Sequence, residues 1–173
     1  LALLATDAAD ADVVFADPDR RPGGVRTLDP EAWQPPLSRI VALAGAGRRV
    51  FVKAAPSLDA ETVPAGFDVA YVSCGGECVE AFLAARPDPA VRRRIRAVLL
   101  PDDGPSIELE GDRGDAPAGP LGDAIYVPDP AAIRARLLRE LCARDGLVLV
   151  GDGPAWMTGP AGAASPWLRE HVI

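Results

Sequence analysis

Lysine is nearly absent from this sequence: of 18 basic residues, 17 are arginine and only Lys53 is lysine. Aromatic residues make up 5% of the chain, so Ala, Val and Leu must fill most of any core. Three cysteines (Cys74, Cys78, Cys142) are an odd number without framework spacing, which points to a reducing, cytoplasmic setting. Cys74-x3-Cys78 with His171, the single histidine, is a poor zinc set, and no metal is expected. No apolar run approaches the ~20 residues of a membrane helix, so no membrane partner is expected. The opening LALLATDAADAD has no basic stretch ahead of it, which argues against a secretory signal. The only methionine is Met157.

What is present describes a loop-rich globular chain. Of 173 residues, 49% are hydrophobic, enough for a buried core, and 17 glycines and 18 prolines break it into short elements. The net charge is −7, opposite to that of proteins that grip long nucleic acids by charge alone. Any such contact would need a local basic patch. The densest candidate is VRRRIRAV (91–98), although Arg alternating with Ile and Val also describes a strand with one wet face. Arg134, Arg136 and Arg139 pose the same choice on a helix. Trp33, Trp156 and Trp167 are too scattered to form a stacking platform and read as packing residues.

The periodicity alternates. Val13–Ala16, Val50–Ala54, Asp68–Ser73, Ile95–Leu100 and Ile107–Glu110 read as strands, the first as a doubly covered one. Leu37–Ala46 reads as a helix entered at Pro36 and ended by Gly45 or Gly47, Leu58–Val63 as a short helix capped by Ser57, and Glu77–Arg86 as a helix after a Gly75–Gly76 turn. The fold expected is α/β, with a mostly parallel sheet over 1–110. Residues 111–122 (GDRGDAPAGPLG) read as a linker. A small α+β unit follows over 123–173, with a strand at Ile125–Val127, a helix from Asp129 and Pro130 to Gly146, a strand at Leu147–Val150 and a tail that adds a strand or covers an edge. Ile133, Leu137, Leu138, Leu141 and Cys142 are expected on the buried face of that helix.

The sharpest local feature is VVFADPDRRPGG (13–24). In open α/β sheets ligands bind beyond the carboxyl ends of the strands, and Asp17 stands at such an end. Pro18 fixes the turn and lacks an N–H, leaving acceptor-rich backbone beside a carboxylate. Arg20 and Arg21 could pair a phosphate or carboxylate, and Gly23–Gly24 would let the loop approach it. The simpler reading is ordinary Asp-Pro turn chemistry with surface ion pairs. Lys53, at another strand end, reads equally as a site cation or a solvated lysine. Glu77 reads more readily as a helix-start acid than as a pocket residue.

These residues carry a resemblance. FADPDRRPGGVRTLDPEAWQPPLSRIVAL, followed by VFVKAAPSLD, resembles the DPARR region of class I S-adenosylmethionine-dependent methyltransferases that carry a THUMP-like C-terminal domain. Asp17, Pro18, Arg20 and Arg21 match the loop, while Asp19 stands where that family has Ala. Lys53, Ala55 and Pro56 match its VKLAPG segment, with Ala54 for Leu and Ser57 for Gly. Gly75, Gly76 and Glu77 in YVSCGGECVEA match a Gly-Gly-Glu segment, and IYVPDPAAIRARLLRELC with WMTGP resembles the THUMP-like unit.

The resemblance implies a partial Rossmann-like fold over 1–110 and methyl transfer from S-adenosylmethionine to an amine of a nucleic-acid base, with RNA favoured. Asp17 and the carbonyl near Pro18 would orient the attacking nitrogen, Asp17 would also border the cofactor, and Arg20, Arg21, Lys53, Gly75, Gly76 and Glu77 would face substrate. It also implies a glycine-rich cofactor loop after a first strand, and none is placed here. Gly45-Ala46-Gly47 follows a helix and precedes a strand, the wrong order for such a loop. The sequence therefore reads as the back half of such an enzyme, whose N-terminal half would complete the sheet. A non-catalytic RNA- or partner-binding module and a small-molecule methyltransferase remain as alternatives.

Overall fold

The computed structural model describes residues 11–44, 47–86, 88, 90–151, 153 and 155–173. The opening segment and the Gly45–Ala46 pair of the weighed cofactor loop lie outside the described residues. The chain forms two compact units, Leu1–Ala70 with Glu80–Arg94, and Tyr71–Val79 with Ile95–Ile173. Residues 111–122 belong to the second unit.

The first unit is built on β1 (Val13–Ala16), α1 (Leu37–Ala42) and β2 (Arg49–Ala54). β1 runs parallel to β2, with Val14 opposite Val50 and Phe15 opposite Phe51. Strict alternation sends Val50, Val52 and Ala54 into the core, where they are almost completely buried. Leu37 and Ile40, three apart on α1, pack on β2 from that side. Burying a side chain of this size is worth roughly 1.5–3 kcal/mol. Trp33 is buried as well. α1 stops at Ala42, and the Gly47 N–H donates to Ala44 O.

β3 (Phe67–Cys74) and β4 (Glu77–Ala85) complete the central strands, and the order in this sheet is β1-β2-β4-β3-β5-β6. β4 corrects the helix expected over Glu77–Arg86. Gly75 and Gly76 both have positive φ (59° and 81°), as a two-residue hairpin turn requires, and the turn feeds a strand that doubles back. β4 then pairs antiparallel with β2, Val52 opposite Leu83 and Lys53 opposite Phe82. Ala81 and Leu83 point into the core and Phe82 to the other face, where it stacks on Phe51 at 5.9 Å. The mixed α/β character stands, but the sheet is not mostly parallel. The β1–β2 ladder is parallel, while β2–β4 and β5–β6, formed by β5 (Ile95–Leu100) and β6 (Ile107–Leu109), are antiparallel.

β1 also departs from expectation. It lies at the end of the strand order, and Val13 (49%) and Phe15 (62%) are exposed rather than covered on both faces. The short helix expected over Leu58–Val63 is a single 3-10 turn, Ala60–Thr62, capped by Asp59 instead of Ser57.

The second unit carries a sheet ordered β11-β8-β10-β9-β7, from β7 (Ala118–Gly119), β8 (Ala124–Pro128), β9 (Val148–Val150), β10 (Met157–Gly159) and β11 (Leu168–Val172). β7 lies in the stretch read as a linker and pairs parallel with β9, and the tail strand β11 pairs antiparallel with β8. The expected long helix is two, α2 (Pro130–Arg134) and α3 (Leu138–Asp145), divided where Arg136 takes a φ of 58°. Asp129 caps α2 by accepting the Ala131 N–H at 2.8 Å, and Gly146 ends α3 in the left-handed conformation. The break leaves Ile133 exposed while Leu137, Leu141 and Cys142 stay buried with Tyr126, Met157 and Trp167. Among the described residues no helix is long and apolar enough to cross a membrane.

Candidate functional site

Asp17 follows the last residue of β1, and Lys53 is the penultimate residue of the neighbouring parallel strand β2. Parallel pairing places both at the same end of the sheet, with Lys53 Nζ 3.6 Å from Asp17 Oδ2. The antiparallel return of β4 adds a second carboxylate, since Glu80 Oε2 lies 4.0 Å from the same ammonium. A cation held between two acids results, on elements brought together from three parts of the chain.

The electrostatics are those of a wet rim. The Asp17 and Lys53 side chains are 53% and 41% exposed, and Glu80 is 26% exposed. At 3.6 Å the Asp17–Lys53 contact is an ion pair longer than a hydrogen bond. Asp17 accepts no hydrogen bond among the described residues, so its oxygens remain able to take an amine N–H. Pro18 beside it is buried and fixes where the chain leaves the strand.

The rest of the loop is organised by its own backbone. Asp19 and Gln34 exchange both N–H···O bonds, at 2.8 and 2.9 Å, and close the loop between them. The Asp19 carboxylate accepts the Arg21 N–H at 2.8 Å. It is therefore turned inward to the turn, a use that the Ala usual in the resembling family would not have. Thr27 N–H bonds Arg20 O, and Gly23 and Gly24 take φ of 73° and 88°, which their lack of a Cβ permits. Arg21 is exposed, and Arg20 is half-buried with its Nη1 sheltered and without an acceptor among the described residues.

Of the residues singled out in the sequence, the structure brings Asp17 and Lys53 together. Gly75, Gly76 and Glu77 form the tip of the β3–β4 hairpin, within the second unit. Glu77 begins a strand there, so its reading as a helix-start acid is corrected. Glu80 was missed because VEAFLAA was read with helical spacing. Taking Gly75–Gly76 as a hairpin turn would have put Glu80 and Phe82 on one face, two apart.

In the basic run the side chains of Arg93 and Arg96 are engaged, while Arg92 and Arg94 are exposed. Arg93 donates to Ala60 O and Val63 O, the Arg94 N–H bonds Asp68 at 2.9 Å, and Arg96 pairs Glu108 at 3.6 Å. Arg139 pairs Asp112 at 2.8 Å. The three cysteines are free thiols, and no cluster of metal-binding side chains occurs among the described residues. Burial pushes the Cys142 thiol pKa up, as desolvation of a thiolate requires.

No family model matches the chain. Over 152 residues it is 36% identical to a Mycobacterium tuberculosis protein, found in two strains and described as an uncharacterized S-adenosylmethionine-dependent methyltransferase. The match takes in 85% of this chain and 41% of the relative, so the chain spans about two fifths of the length of the proteins it resembles. A crystal structure from Porphyromonas gingivalis W83, of a protein assigned as a methyltransferase, superposes with a TM-score of 0.70 at 17% identity. It covers 94% of this chain and 43% of that one, and it shows a shared fold.

Proposed function

We propose that this chain is part of an S-adenosylmethionine-dependent methyltransferase in which Asp17 positions the nitrogen that accepts the methyl group. The observation that carries the reading is the 36% identity over 152 residues to proteins named for that activity. Two features of the molecule support it. The sheet shares its fold with a methyltransferase structure. A carboxylate with unused acceptor capacity stands beyond the carboxyl ends of a parallel strand pair, where open α/β sheets take their ligands.

S-adenosylmethionine supplies the methyl group in such a reaction. The residues described here do not by themselves make its cradle, because none of their glycine pairs forms a turn leading from a strand into an α-helix. Gly23–Gly24 lies in a 3-10 turn and Gly75–Gly76 in a hairpin. What these residues do is local. Asp17 accepts an N–H of the substrate amine and holds its lone pair in line, and positioning of this kind supplies a large part of such catalysis. Lys53 keeps Asp17 and Glu80 from repelling one another and offers a cation to an anionic part of the substrate.

The substrate class proposed is an amine on an RNA base, in a cytoplasmic setting, with Arg20 and Arg21 as the basic groups nearest Asp17 in the chain. A strand from the remainder of the protein would cover the open edge of β1, where Val13 and Phe15 stand exposed. The test is methylation of total RNA by the full-length protein with labelled S-adenosylmethionine, beside Asp17→Ala. Loss of RNA labelling in the variant supports the reading. Equal labelling in both removes Asp17 from the mechanism. Labelling of a small-molecule fraction in place of RNA moves the substrate class.

A further inference from the structure

The second unit holds a cavity of about 270 Å³ that methyl transfer at Asp17 does not use. Pro128, Pro130, Pro166 and Leu168 give it a stiff apolar wall, and Asp129 and Arg169 are its two charged groups. One Asp129 oxygen is occupied by the Ala131 N–H, and the carboxylate makes no other bond among the described residues. Arg169 pairs with no acid among them, which is notable in a chain of net charge −7. Its guanidinium lies over Gly76, with Nη2 only 3.3 Å from where a Cβ would stand, so the glycine keeps room for it. Trp167 also lines the cavity. It is fully buried, and its indole N–H meets no acceptor among the described residues, an unusual state for a buried donor.

The geometry points to this cavity as a binding site for a single guanine base. A carboxylate and a guanidinium among the lining residues of one cavity select a ligand with donors on one edge and acceptors on another. Guanine carries N1–H and N2–H side by side for a carboxylate, and O6 and N7 for a guanidinium. Adenine sets ring acceptors on either side of its one amino group, and these would face the carboxylate's lone pairs. A simple anion would meet Arg169 but be repelled by Asp129. The planar ring suits a wall of prolines, and the volume is sufficient for a base. A free guanine nucleotide and an unpaired guanine in RNA share this chemistry.

The test is calorimetric titration of the chain with GMP, AMP and single-stranded hexaribonucleotides carrying one guanine or one adenine. Guanine ligands are expected to bind at least about tenfold more tightly than their adenine counterparts, since a site built for hydrogen bonds rejects a ligand that cannot make them. Binding of GMP identifies a free nucleotide, and binding of the guanine oligomer alone identifies RNA. Asp129→Asn keeps the cap on α2 but replaces one acceptor by a donor. It should lose GMP and gain XMP, whose C2 carbonyl stands where guanine has its amino group. Arg169→Gln, on an exposed position, should weaken both. The inference is overturned if folded protein shows no guanine preference up to millimolar ligand. It is equally overturned if Asp129→Asn, melting as the parent does, leaves the GMP-to-XMP ratio unchanged, or if free amino acids bind in preference to GMP. None of these outcomes depends on methyl transfer at Asp17.

Discussion

Lys53 Nζ lies 3.6 Å from Asp17 Oδ2, joining the carboxyl ends of two neighbouring parallel strands, and Glu80 reaches the same ammonium from an antiparallel third. Two acids around one exposed base make an arrangement whose value is positional. An exposed pair of this kind contributes under about 1 kcal/mol to folding.

Asp17→Asn should therefore leave the thermal midpoint within a few degrees of the parent while abolishing methylation by the full-length protein. Lys53→Met leaves Asp17 and Glu80 facing one another without their shared cation and should impair activity more than stability. Melting curves read beside methyl incorporation check both. A large loss of stability in Asp17→Asn would show a structural role.

The chain by itself should bind S-adenosylmethionine weakly or not at all, because the described residues supply a rim carboxylate without a cradle. Calorimetry showing low-micromolar binding to the isolated chain would contradict this.

Among the described residues β1 presents an unpaired edge with Val13 and Phe15 exposed, and such edges pair with other chains. The isolated chain should self-associate, and Phe15→Lys, which blunts the edge, should reduce the association. Light scattering on both proteins checks it, and a sharp monomer peak for the parent would refute it.

Cys142 is buried and its pKa is raised, so the native state holds the proton longer than the unfolded chain does. Its contribution to stability is complete below the ordinary thiol value of about 8.5 and is lost as pH climbs from there through the raised native value. Stability measured against pH should fall on that alkaline side, and Cys142→Ala should flatten the fall. A thiol reagent should label exposed Cys74 at once and Cys142 only on unfolding.

Gly75→Ala places a side chain at a φ of 59°, which costs roughly 1–2 kcal/mol. Urea titration should show that loss. An unchanged midpoint would mean the hairpin is not held in this turn.

Several elements were legible because their signals are local. β2 and β5 announce themselves as apolar runs bounded by turns, and the cap at Asp129 and the stop at Gly146 follow from residues adjacent to the helix ends. β4 was misread because Val79–Ala85 has the composition of a helix. Pairing with Val52 and Lys53, some thirty residues earlier, overrode that preference. The division of the helix at Arg136 left no mark in the hydrophobic spacing, which runs on through the break. For the site, Asp17 and Lys53 could be named from strand ends, but Glu80 could not, since nothing local announces that β4 pairs with β2.

The sequence by itself determined the short apolar strands, the turns that bound them and the acidic residue at the first strand's end, because each depends on neighbours a few residues away. Only the tertiary structure decided that β4 runs back against β2, that β1 ends the strand order of the described residues, and that two carboxylates share one lysine. Strand direction and partnership are settled by pairing between distant segments, where burial and ladder hydrogen bonds outweigh the preference of any single stretch.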